Sequence, residues 1–382
     1  MTRRLAAAVL VLALPLAACS TLDAINPFAK KSGPKMAELQ PISATTEARV
    51  EWREGVGKSE LYVFTPAVVG SSVYAAGENG TVLRIDEGRV VWKANAEQVL
   101  SGGVGANADI VVVGSRKGDV LAFAAADGKL LWKAKASSEI LAPPAVGEGL
   151  VVVRSSDSRV TGYSASDGQR KWVYQRPAPA LALRFAGQPL IDGKYVFVGF
   201  PGGKLVALLN DNGTAVWDGT VALPKGATET DRIADISSAP VISGRTICAV
   251  AYQGRVACFD LGNGSLVWAR DMSSARGMTV DQRYVYVTDD KGAVHALDLA
   301  TGSSIWKQDK LFLRGVTAPA VARGLVVVAD VQGVVHFLNR DDGSFAARVT
   351  TDGSPVVAPL RAAGNALVLQ TRNGGVFAVA AQ

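Results

Sequence analysis

Short apolar runs, broken by Gly turns, fill nearly the whole chain. The segments PAVVGSSVYAAG from Pro66, PAVGEGLVVVRS from Pro144, PVISGRTICAVA from Pro240 and PAVARGLVVVAD from Pro319 each read as two short strands around a tight turn. Each is followed by a third strand pattern ending near an acid or Asn, as in GTVLRID, GKLVALLND and GRVACFD. A fourth follows in the frames GRVVW, GKLLW, GQRKW, GTAVW, GSLVW and GSSIW. The unit is therefore four β segments, and it recurs. The seven tryptophans, Trp52, Trp92, Trp132, Trp172, Trp217, Trp268 and Trp306, are spaced by 40, 40, 40, 45, 51 and 38 residues. A further copy, GVVHFLNRDDGSFAA, keeps the frame but puts Ala347 in the Trp position.

Four strands in about 40 residues is the period of a β-propeller blade. One blade leaves both sheet faces uncovered, so neighbours must stack and the ring must close. The final unit offers only three strands before Gln382, and the orphan segment RVEWRE from Arg49 carries a Trp in the fourth-strand place. Pairing the two completes a last blade and removes a free edge. The expectation is an all-β, eight-bladed propeller over residues 45–382, with the N-terminal strand closing the C-terminal blade.

Composition agrees with this picture. The 382 residues are 48% apolar with a net charge of +6, too apolar and too weakly charged for a disordered chain. Forty glycines supply the turns, and two His with three Cys leave little for a His/Cys metal framework. No Lys/Arg cluster makes a case for nucleic acid.

The first residues carry a different signal. Arg3 and Arg4 precede an apolar run from Leu5 to Leu16, shorter than the ~20 residues that span a bilayer, so residues 1–18 read as a signal peptide. The run ends in Leu16-Ala17-Ala18-Cys19-Ser20, which resembles the lipobox of bacterial lipoproteins. That resemblance implies acylation of Cys19, and Ser20 after it implies sorting to the outer membrane. Residues 19–44, with three prolines and no periodicity, read as a flexible lipidated tether.

One repeat, at Ala296, Asp298, Thr301, Gly302 and Trp306, displays the full A-x-D-x-x-T-G-x-x-x-W pattern. It resembles the PQQ-type repeat. Eight such blades behind a lipobox, at this length, resemble the BamB-type lipoproteins of the β-barrel assembly machinery. The resemblance implies a non-catalytic scaffold with no cofactor, which assists insertion of outer-membrane proteins. A quinone-dependent dehydrogenase is the enzymatic alternative. Such enzymes use a Trp floor and an adjacent-Cys disulfide, whereas here every Trp sits in the repeat position and no two Cys adjoin. A second alternative is a propeller that grips unfolded barrel precursors directly.

Blade connections that exceed the repeat mark surface loops. From Trp to the next opening Pro the gap is 14 residues at Trp52 and 12 at Trp132, but 17 at Trp172 and 23 at Trp217. The two long loops share one face. The first holds Leu181, Leu183 and Arg184, and the second Asp231, Arg232 and Asp235. Apolar side chains beside an Arg suit an interface hot spot, or they cover the blade ends. In the resembled family these loops dock the POTRA region of the BamA barrel subunit. Leu181, Leu183 and Arg184 match its L-x-L-R segment, and Asp235 matches the first of two acidic positions. Ser237 stands at the second, where the family's charge is lost.

His295 and His336 share a register in successive blades without further metal ligands in view. Cys248 and Cys258 lie symmetrically about a turn at Gln253, close enough for a disulfide or for two small buried thiols. Both readings are structural.

Overall fold

In the computed structural model, residues 34–184 and 187–382 are described, and one packed unit runs from Met36 to Gln382. Among the described residues the strands form eight antiparallel-meander sheets arranged as blades. Seven come in chain order. The eighth joins Arg361–Ala363, Ala366–Gln370 and Gly375–Ala381 to the N-terminal strand Ala48–Gly55. That strand pairs antiparallel with Gly375–Ala381, from Ala48↔Ala381 to Gly55↔Gly375, with a bulge between Val50 and Trp52. The expected closure is thus the observed one.

The second blade carries a fifth strand that the four-strand repeat does not announce. Val63–Phe64 lies parallel to Leu100–Ala106, pairing with Gly102 and Gly103. Two residues are too few to register as a pattern.

A second departure concerns the tether, which was expected to reach residue 44. The Ala37 amide donates to the Phe312 carbonyl at 2.9 Å, and Arg314 Nη1 donates to the Ala37 carbonyl at 2.9 Å. Arg348 Nη1 donates to the Gln40 carbonyl, and Leu39 packs on the apolar cluster between blades six and seven. Residues 37–46 are therefore a strap laid on the propeller, because the buried Arg314 and the half-buried Arg348 take up the Ala37 and Gln40 carbonyls. The signal peptide and Cys19 lie outside the described residues.

The repeated Trp explains how blades stack. A side chain in the third-to-fourth-strand turn would strike the neighbouring indole: a Cβ built on Gly88, Gly128, Gly168, Gly213, Gly264, Gly302 or Gly343 would come within 2.5–2.7 Å of Trp52, Trp92, Trp132, Trp172, Trp217, Trp268 or Trp306 respectively. These glycines all have positive φ, near +70 to +78°, which L side chains adopt at a cost. Each indole thus lies on the bare backbone of the next blade's turn. Six of them also donate Nε1–H to a carbonyl of that blade, as Trp132 does to Ala165 at 2.9 Å and Trp306 to Arg340 at 2.7 Å.

Ala347 now has a reason. The turn its indole would cover does not exist, because the eighth blade is open there between the two chain ends. Gln382 N–H donates to the Glu47 carbonyl in that gap, and Thr45 N–H donates to the Ala346 carbonyl. Volume is restored on the adjacent strand. Trp306 faces Ala296 and Trp217 faces Ala207, but Ala347 faces Phe337.

Candidate docking face

Antiparallel meanders put every fourth-to-first-strand connection and every second-to-third-strand turn on one face. The two long connections, 176–189 and 221–240, both rise there. A single carboxylate ties them. The Leu183 N–H donates to Asp235 Oδ2 at 2.6 Å, and the Gly202 N–H donates to Asp235 Oδ1 at 3.1 Å. Asp235 is only 2% exposed. In this structure Asp235 acts as a pin between the two loops, with little of its carboxylate on the surface. Arg154 lies beneath with its guanidinium 5.4 Å from the Phe200 ring centre. Burial pushes Arg154 down to about 10, and attraction to Asp235 acts in the opposite direction.

The pin presents its neighbours outward. Leu181 is 47% exposed, and Leu183 is half-buried against the face. Arg184 Nη2 donates to both Glu139 oxygens, at 3.2 and 3.3 Å, and its guanidinium sits 5.8 Å from the Tyr62 ring centre. The first long loop thus leans toward the first two blades, where Leu61, beside Tyr62, is 74% exposed. Glu139, Tyr62 and Arg154 belong to this constellation and left no mark in the repeat, because they meet Arg184 and Asp235 only across blades.

Asp231 and Arg232 are exposed but serve their own loop. Asp231 Oδ2 accepts the Thr228 N–H at 3.1 Å while the Asp231 N–H donates to Thr228 Oγ1, and hydrogen bonds from the Thr228 hydroxyl and amide to the carboxylate hold it below the ordinary range. Arg232 bonds the Gly226 carbonyl and Glu229. Ser237 donates to the Ala275 carbonyl at 3.3 Å. A carboxylate in that rotamer could only repel the carbonyl oxygen.

The remaining candidates separate. His295 Nε2 bonds Asp289 at 2.9 Å and His336 Nε2 bonds Asp330 at 3.0 Å, each within its own blade. Among the described residues no group of three or more His, Cys, Asp or Glu is placed to hold a metal ion. Cys248 and Cys258 are directly opposite in adjacent strands, Cα–Cα 4.1 Å, and are joined by a disulfide.

These features define a closed propeller of PQQ-type repeats whose irregular chemistry is concentrated in loops on one face. The family model described as "Outer membrane protein assembly factor BamB" matches residues 78–308. The factor of that name from Bordetella pertussis is 41% identical over 91% of this chain and 90% of its own length, and that from Pseudomonas aeruginosa is 43% identical over 93% of each. The crystal structure of BamB from Moraxella catarrhalis superposes with a TM-score of 0.82 at 28% identity, covering 87% of this chain and all of its own. The chain belongs to the BamB family of outer membrane protein assembly factors. Quinohemoprotein alcohol dehydrogenases from Pseudomonas putida HK5 and Comamonas testosteroni, at 15% identity and TM-scores of 0.67 and 0.69, share the fold alone.

Proposed function

We propose that this protein is a non-catalytic scaffold of the outer-membrane β-barrel assembly complex, held at the periplasmic face of the outer membrane by lipid on Cys19. The loop face docks the POTRA region of a BamA-type barrel subunit and so aids the folding and insertion of outer-membrane proteins. The supporting observation is the pinned loop pair. An internal carboxylate fixes the backbone at Leu183, so Leu181 and Arg184 meet a partner in one preset geometry and lose little freedom on binding. Leu181 and the aliphatic part of Leu183 act as apolar anchors, and Arg184 supplies charge-assisted donors at the rim. Asp231 and Arg232 shape the second loop beside them.

The test is binding of the purified propeller to an isolated POTRA fragment. Leu181→Ala/Leu183→Ala/Arg184→Ala should keep the β spectrum and melting point and lose several kcal/mol of affinity, roughly 100-fold or more. Wild-type binding by a folded triple variant rejects the docking assignment.

A further inference from the structure

The inner strands of the blades surround a cavity of about 1260 Å³ along the propeller axis. Its wall is formed by the strands that open the blades, six of the eight of them following a proline. Its charged lining is unbalanced. Arg276, Arg361 and Arg372 face it with Asp290 and Glu148, and Glu148 is on the far rim, in a first-to-second-strand turn. Asp290 is already engaged, its Oδ1 accepting the Ala275 N–H at 2.8 Å and its Oδ2 accepting the Ser273 hydroxyl.

Arg361 crosses the channel. It belongs to the eighth blade, and its Nη2 donates at 2.8 Å to Gln188 Oε1 of the fourth, directly opposite in a ring of eight. Gln188 is itself held by donation to the Pro144 carbonyl at 3.2 Å. This pair forms a bar across the cavity. Between the bar and the loop face lie Arg276, just before the inner strand of blade six, and Arg372, in the second-to-third-strand turn of blade eight.

Neither of these two cations is paired. Among the described residues the Arg276 guanidinium has no hydrogen-bond or ion-pair partner, and the enclosed Arg372 Nε finds none either. The hydroxyl of Ser238, which packs beside Gly277 at the foot of Arg276, is likewise enclosed without a partner. Burial lowers the affinity of Arg276 for its proton, Asp290 offsets this, and repulsion from Arg372 adds to it. Arg372 Nε and the Ser238 hydroxyl are enclosed donors without acceptors, which are costly and rare in native proteins, and the half-buried Arg276 adds a second, unpaired like charge to the same cavity. One negatively charged acceptor between them would relieve both.

We infer that the mouth of the central channel on the loop face is a binding site for a multivalent oxyanion, with Arg276 and Arg372 as its ligating cations and the Arg361–Gln188 bar as its floor. Carboxylate and phosphate share the chemistry required: several acceptor oxygens in a fork that two guanidiniums can bracket. Asp290, beside Arg276, disfavours a second anion, so the site takes one.

The experiment titrates the mature chain with citrate and with pyrophosphate at fixed ionic strength, following calorimetry and the arginine Nε–H resonances. Saturable binding that shifts the Arg276 and Arg372 resonances is expected. Arg276→Gln and Arg372→Gln should each weaken it by about tenfold or more, a factor worth about 1.4 kcal/mol. Arg323→Gln, on an exposed turn of the opposite face, should change nothing. Tighter citrate binding identifies a carboxylate as the natural group, and tighter pyrophosphate binding a phosphate. The assignment is overturned if neither probe saturates, or if saturation leaves both arginine resonances unmoved. The wild-type resonances decide the matter even should a variant fail to fold.

Discussion

Seven of the eight blade-to-blade contacts turn on two residues, an indole and the glycine it covers. Gly213→Ala would force a side chain into positive φ and into the Trp172 ring, and Trp172→Ala would empty the same space. The second should cost about 3–5 kcal/mol, the usual range for a buried large aromatic, and the first about 1–3 from strain and overpacking; denaturant melts of both variants check this. Ala347→Trp restores the repeat by sequence but not by structure, since no turn lies beneath it and Phe337 fills its room. It should destabilise, and a raised melting point would refute the explanation given for Ala347. Asp235→Ala should release the Leu183 and Gly202 amides and leave Arg154 without its counter-charge, for about 2–3 kcal/mol. Ser237→Ala should stay under about 1 kcal/mol in the same melts. At this scale the sequence revealed which residues repeat, but not that Asp235 is buried. An acid in a long polar loop looks exposed until the first long loop folds over it.

The element that most depends on distant partners is the strap of residues 37–46. It rests on Arg314, Asp330, His336 and Arg348. Arg348 Nε donates to His336 Nδ1 at 3.2 Å, so the imidazole proton must be on Nε2, directed at Asp330. Burial holds His336 below its ordinary value and therefore neutral. The unfolded chain accepts a proton below about pH 6.5 that the folded one refuses, so stability must fall as pH drops through that window, by up to about 1.4 kcal/mol per pH unit. Urea midpoints at pH 7.5 and 5.5 should show this slope in the wild type, reduced in His336→Gln. The blade strands were legible because a half-buried meander alternates and turns on Gly. The strap was not: it is held by its carbonyls, which every residue has, and its docking arginines lie some 280 to 310 positions away. The two-residue fifth strand escaped notice for want of length.

For the molecule as a whole, anchoring and docking are separable. If Cys19 carries the proposed acyl chain and the loop face docks as proposed, Cys19→Ala should release the protein from the outer-membrane fraction while its propeller still binds a POTRA fragment in solution. Fractionation and palmitate labelling test the first half, and unchanged membrane association would refute it. Removing residues 45–56 should instead take the outer strand from the last blade and expose an edge that aggregates; an unaltered melting temperature would contradict closure by that strand. The ring was countable from the Trp spacing, whereas the Arg361 bar, which joins opposite blades, follows no repeat. Closure also orders events in time. Arg49 pairs with Ala380 across almost the entire chain, and bringing such distant ends together costs on the order of 5 kcal/mol of chain entropy before any contact repays it. An N-terminal strand made first must therefore wait for the last residues to arrive. Until then it is an unpaired edge, open to any other strand that meets it.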